Sequence, residues 1–186
     1  MFTVLLLTAL STASQNRPLP DSTYLHLVGD LPALATFSYS TYSANRRTDV
    51  HRRMRNVDVT GCMLKFEIWV QQVTEGAQQS QLPRNFYEST YAIPLNAIDP
   101  ERTNIRMAHA RIGARYDSPP SVLEIRVKQD AKPVVVGTLE QRDRGRARTI
   151  EMLFADDEAA ALVKGWLHDA AARCETWDTT PLQPIR

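Results

Sequence analysis

Cysteine, histidine, lysine and long apolar runs are all scarce in this 186-residue chain. Two cysteines exclude a disulfide-dense miniprotein and every four-thiolate zinc site. The four histidines, His26, His51, His109 and His168, stand far apart and form no metal-ligand motif, so no metal and no cofactor is expected. Net charge is almost absent. The 22 Lys and Arg against 21 Asp and Glu leave +1, and no global field draws in nucleic acid. Seven Gly and eleven Pro without a tripeptide period exclude collagen. The nucleophile elbow G-x-S-x-G, the dinucleotide loop G-x-G-x-x-G and the phosphate loop G-x-x-x-x-G-K are all missing. No catalytic residue can be named from a motif.

What is present reads as one globular domain. Hydrophobic residues make up 43% and charged residues 23%, enough apolar matter for a core. The chain opens Met1-Phe-Thr-Val-Leu-Leu-Leu-Thr-Ala-Leu10 and continues Ser-Thr-Ala. An apolar run ending in small residues fits a secretory signal over residues 1–13, cut after Ala13, although no Lys or Arg precedes it. The run falls short of the roughly 20 residues a membrane-spanning helix needs, and no other stretch reaches that length. A secreted or periplasmic location is therefore expected. Arg outnumbers Lys 18 to 4, which suits a bacterial genome with GC-rich codons.

Residues 14–22, polar and proline-containing, read as a linker. From Thr23 to Phe154 short runs alternate and turn residues interrupt them, which is the signature of strands. In Cys62–Val70, residues Cys62, Leu64, Phe66, Ile68 and Val70 share one face. Leu123, Ile125 and Val127 do so in the next clear strand, and Ile150, Met152 and Phe154 in the last. Ala35–Tyr42 and Val50–Val59 read as a strand pair about a turn at Asn45–Asp49. Thr74–Arg84 reads as a long loop, and Asn96–Arg102 as a turn. Seven or eight strands at this turn spacing favour an antiparallel barrel or sandwich.

The period then changes. Ala159, Leu162, Val163, Trp166, Leu167, Ala170 and Cys174 recur at helical spacing, with Asp156 as N-cap and Asp157 and Glu158 at the positive end of the dipole. These residues predict an amphipathic helix with Leu162, Val163, Trp166 and Leu167 on the core. Gly165 within it suggests a close neighbour. Residues 177–186 read as a flexible tail, leaving 23–176 as the single domain. Cys62 and Cys174 both fall on inward faces. They either form a disulfide, as export would permit, or stay as two buried thiols.

Three phrases carry a resemblance: the strand opening Gly61-Cys62-Met63-Leu64, the phrase Ile93-Pro94-Leu95-Asn96-Ala97-Ile98-Asp99-Pro100, and the closing strand and helix Ile150–His168 that ends at Cys174. Across Val57–Cys174 the chain resembles the pleckstrin-homology-like barrel and, more narrowly, uncharacterised bacterial exported proteins built on that plan. The long segment before Val57 departs from it. The resemblance implies a mainly β fold, a seven- or eight-stranded barrel capped by one helix, and brings no site residue with it.

Two arginine clusters remain. Arg46, Arg47, Arg52, Arg53 and Arg55 surround one predicted turn, and Arg142, Arg144, Arg146 and Arg148 another. Guanidinium groups grouped this way are candidates for gripping phosphate or sulfate, though charge at hairpin tips also keeps edges soluble. Trp69 lies opposite Phe66, under a second layer or on a binding surface. The leading expectation is a non-enzymatic exported module, binding or structural, whose partner is a protein or an anionic envelope component. A lipid or small-ligand carrier of lipocalin-like type is the first alternative, and a hydrolase assembled from distant residues the second.

Overall fold

The computed structural model describes residues 21–44, 46–76, 86–110, 113–131, 134–138 and 145–178. The expected signal, most of the linker, the flexible tail from residue 179 onward, and both Arg142 and Arg144 lie outside the described residues.

The first described element is helical, not extended. Helix α1 (Asp21–Leu25), a π-helical turn (His26–Asp30) and α2 (Leu31–Leu34) run on from one another. Leu27 and Leu31, four apart and so on one helical face, are both fully buried. Ten strands follow among the described residues: β1 (Phe37–Ser43), β2 (Arg46–Thr60), β3 (Met63–Thr74), β4 (Phe86–Pro94), β5 (Ile98–Met107), β6 (Ala114–Tyr116), β7 (Ser121–Val127), β8 (Val134–Thr138), β9 (Gly145–Ala147) and β10 (Thr149–Phe154). A 3-10 turn, Leu95–Ala97, joins β4 to β5. Helix α3, Asp157–Asp178, closes the described chain and runs past Cys174.

The strands form two antiparallel sheets, not a closed barrel. The large sheet has the order β6-β1-β2-β3-β4-β8-β9 and the small one β10-β7-β5. Two excursions explain why the ladder does not close. Strand β6, on the β5–β7 connection, pairs with β1, and β8, on the β7–β10 connection, pairs with β4. Both flanks of the β1–β4 meander are thus occupied by these additions and cannot bond to the small sheet. Without them, a four-strand meander, a three-strand meander and a helix remain.

The strand pattern of the sequence survives in detail. Leu64, Phe66 and Ile68 of β3 face the core, as do Leu123, Ile125 and Val127 of β7 and Ile150, Met152 and Phe154 of β10. Cys62 and Val70 sit half-buried at the ends of their row. The turn expected at Asn45–Asp49 is shorter, because β2 already begins at Arg46. The turn expected over Asn96–Arg102 is mostly strand β5. Gly61, at φ +59°, makes the tight β2–β3 turn, a backbone region that side chains disfavour.

Helix α3 packs on the small sheet and the 3-10 turn. Its N-cap is as expected, with Asp156 Oδ1 accepting from the Ala159 amide at 2.8 Å. Its buried face is rotated from the expected one. Ala159, Ala160, Val163, Leu167, Ala170, Ala171 and Cys174 are buried, whereas Leu162 is 48% exposed and Trp166 only partly buried. Alanines facing the sheet let the helix approach closely and leave the large Trp166 at the border. There it stacks on His26 at 4.7 Å between ring centroids. A Cβ placed on Gly165 would meet nothing within 4 Å, so close packing does not explain that glycine.

Cys62 and Cys174 are disulfide-bonded, their Cα atoms 5.7 Å apart across 112 residues of sequence. The bridge ties the β2–β3 turn to α3. Beside it the Leu95 amide donates to the Cys62 carbonyl at 2.8 Å, and Lys128 Nζ donates to the Asn96 carbonyl at 3.0 Å while pairing with Glu175 of α3.

Candidate functional site

Period-two alternation and the observed register sort the arginines onto opposite faces of the large sheet. Arg47, Arg53 and Arg55 point outward. Arg52 shares its face with Val50 and Met54, which are buried. The first sequence cluster is therefore divided between the two faces. Arg47 Nε donates to Asp49 Oδ1 at 2.8 Å, and its Nη2 to Ser40 Oγ at 3.1 Å. Arg55 lies 3.4 Å from Glu67 and 3.0 Å from Glu88. Arg53 covers the Trp69 ring at 5.6 Å. Arg46 starts β2 in an exposed position. In the second cluster Arg148 Nη1 donates to the carbonyls of Lys128, Gln129 and Ala131 at 3.1, 3.0 and 3.4 Å and so closes a turn. Arg146 belongs to β9 and pairs with Val135 in register, while Arg142 and Arg144 lie outside the described residues.

The outer face of the large sheet combines charge of both signs with aromatic rings. Arg115 covers the Tyr42 ring at 5.4 Å, as Arg53 covers Trp69. Ser38 Oγ and His51 Nδ1 are 2.8 Å apart, and Ser40 donates to Asp49 at 2.7 Å. These contacts hold Asp49 below the usual carboxylate range, first through Ser40, then through Arg47. Further along the same face, by the Arg55–Glu67 pair, is an open groove of about 510 Å³ whose walls include Asn56, Asp58, Lys65, Glu67, Thr90 and Gly137. Gly137 shapes its floor, since a Cβ there would come 2.5 Å from Thr90 Oγ1. Asn56, at φ +53°, sits at the bulge where the β2–β3 register shifts and donates to Glu67 at 2.6 Å.

The inner face has a different chemistry at its far end. Phe37, Tyr39 and Arg52 occupy neighbouring inward positions on β1 and β2, and Val70 lies across from Arg52 on β3. Phe37 and Tyr39 rings stand 5.8 Å apart, and Tyr39 meets Tyr116 edge-on at 5.7 Å. Arg52 keeps part of its side chain at solvent, yet its Nε is sealed off and donates to no acceptor. Burial lowers its pKa from the ordinary arginine value, opposed by the Tyr91 and Tyr39 phenols. Burial, reinforced by the Tyr116 phenol, raises that of Tyr39, and Arg52 opposes the rise. A buried donor left unbonded costs about 1–3 kcal/mol, and more where the group is charged.

A third constellation escaped the sequence reading. Glu124 and Glu151 lie directly opposite on β7 and β10, a like-charge pair that would repel. Arg106 of β5 spans them, 3.3 Å from Glu124 and also bonded to Glu151, and Arg126 pairs with Glu124. The carboxylates are thus explained as an ion-pair network on the small sheet. The signal available in sequence was the alternation of Glu124 and Arg126 with core residues. Among the described residues no three His, Cys, Asp or Glu side chains group as metal ligands, and no helix is long and apolar enough to cross a membrane.

Comparison with protein-family models, with curated proteins and with solved structures finds no match to this chain.

Proposed function

We propose that this chain is a non-enzymatic, exported binding module on a pleckstrin-homology-like plan, and that its recognition surface is the outer face of the large sheet. Support for the plan comes from the order of elements: a four-strand meander, a three-strand meander and a terminal helix, with β6 and the β8–β9 pair as additions. Support for export comes from the Cys62–Cys174 bridge, since disulfides persist in oxidising compartments. The observation that carries the binding reading is the pairing of guanidinium groups with aromatic rings on one sheet face, Arg53 on Trp69 and Arg115 on Tyr42, with the groove opening at Glu67, two residues along β3 from Trp69. Trp, Tyr and Arg are the residues that dominate interface energies.

A protein partner suits this face better than a polyanion. Arg47, Arg53, Arg55, Lys65 and Arg115 are answered there by Asp49, Asp58, Glu67 and Glu88, so a phosphate-rich surface would meet nearly as many carboxylates as cations. The test uses the full chain as bait against the exported proteins of its own source, alongside an Arg53→Glu, Trp69→Ala double variant. A protein retained by the wild type and lost with the variant, at matched far-UV circular dichroism, is the expected result. Equal retention by both folded baits would remove this face from recognition.

A further inference from the structure

We infer that Arg52 anchors a second, separate site on the inner face of the large sheet, one that takes a single oxyanion group carried on a small apolar or aromatic body. This inference does not depend on the outer-face reading, because the two sets of side chains point to opposite sides of the same strands.

Three observations converge on it. The first is a charge without a partner. Arg52 belongs to none of the ion pairs among the described residues, and its Nε has neither water access nor an acceptor. Every other arginine of β2 that faces a carboxylate takes it: Arg47 has Asp49, and Arg55 has Glu67 and Glu88. The Nη groups are not among the sealed atoms, and they can take a planar or tetrahedral oxyanion end-on. The second observation is the lining. Tyr39 shares the inward face of the β1–β2 pair with Phe37 and Arg52, and its phenol can donate to an anion. The third is what surrounds these groups: Phe37, Val70 and Tyr116 are partly buried, so apolar surface is on offer beside the charge. A bare inorganic ion would use only the guanidinium, whereas an oxyanion on an apolar body would use both.

The experiment titrates the full, disulfide-bonded chain with sulfate, acetate, benzoate and octanoate, following the Arg52 Nε–H resonance and the tyrosine ring signals by NMR. Benzoate or octanoate should shift Arg52 and Tyr39 saturably and bind more tightly than acetate. Arg52→Met should weaken that binding roughly 10- to 100-fold, the usual effect of losing a hydrogen bond to a charged group. Arg52→Lys should recover part of it, and Tyr39→Phe should weaken it less than Arg52→Met does. Sulfate binding as tightly as benzoate would overturn the apolar subsite and with it the ligand class stated. Binding unchanged in the folded Arg52→Met variant, or no shift at Arg52 with any of the four anions, would overturn the site itself.

Discussion

The two ends of the large sheet's inner face share strand β3 and are treated oppositely. At one end Leu64, Phe66 and Ile93 share a buried cluster with Phe154, Val163 and Leu167, all at or near zero exposure, and the Cys62–Cys174 bridge ties α3 to the β2–β3 turn. At the other end Phe37, Tyr39, Arg52 and Val70 stay partly open, and a guanidinium stands where the alternation would place another aliphatic side chain. The first end maximises apolar burial. The second sacrifices some of it to keep a charge and several phenols together, which is the usual cost of a functional surface. The fold's stability should therefore be concentrated at the stapled end.

The largest effect should come from the bridge. Cys62→Ser with Cys174→Ser opens a 112-residue loop, for which chain entropy gives about 4–5 kcal/mol and measured losses are commonly smaller. Urea unfolding of the double variant should show a much lower midpoint. Hydrogen exchange should show α3 losing protection before β2 and β3 do. An unchanged midpoint would mean that packing alone holds the helix.

The inward placement of both cysteines was legible in sequence, because they fall on strongly periodic elements, while the choice between a bridge and two buried thiols was left open. Strands β3, β7 and β10 were legible for the same reason. The helical segment before β1 was not. Its clue, Leu27 and Leu31 four apart, is a single turn's worth of pattern interrupted by Gly29 and Pro32. Openness of the sheets was illegible too, because it depends on β6 finding β1 and β8 finding β4, pairings across long sequence separations. At the candidate site the residues were visible but their partners were not. The run Val50-His-Arg52-Arg-Met54 does place Arg52 on the apolar face by alternation. Reading all five arginines as one cluster hid that, since neighbours in sequence point to opposite sides of a strand.

The middle effect should have the opposite sign from most substitutions. Arg52→Met removes a charge whose Nε is buried without an acceptor and replaces it with an apolar chain of similar reach. Stability should rise by about 1–3 kcal/mol, as when buried polar groups yield to well-packed apolar ones. Thermal unfolding at neutral pH, in the absence of added anions, measures this directly. A clear loss of stability would show that Arg52 is already satisfied in the folded chain, and the contrast between the two ends would disappear.

The smallest effect concerns Asp49 on the outer face, far from either end's core. Ser40 and Arg47 both donate to its carboxylate and hold its pKa below the ordinary value. The sign follows from linkage. A carboxyl whose folded pKa is depressed contributes stability above its unfolded pKa of about 3.9, and that contribution fades as pH falls through the folded value. Asp49→Asn keeps the shape and removes the titration. The wild type should melt slightly higher than the variant at about pH 6, and the gap should close toward about pH 2. Because the group is exposed, added salt should shrink the gap at pH 6 as well. A gap that persists unchanged at low pH would mean that the Asp49→Asn substitution disturbs the β1–β2 pairing itself, and that the outer face adds to the fold by more than surface charge.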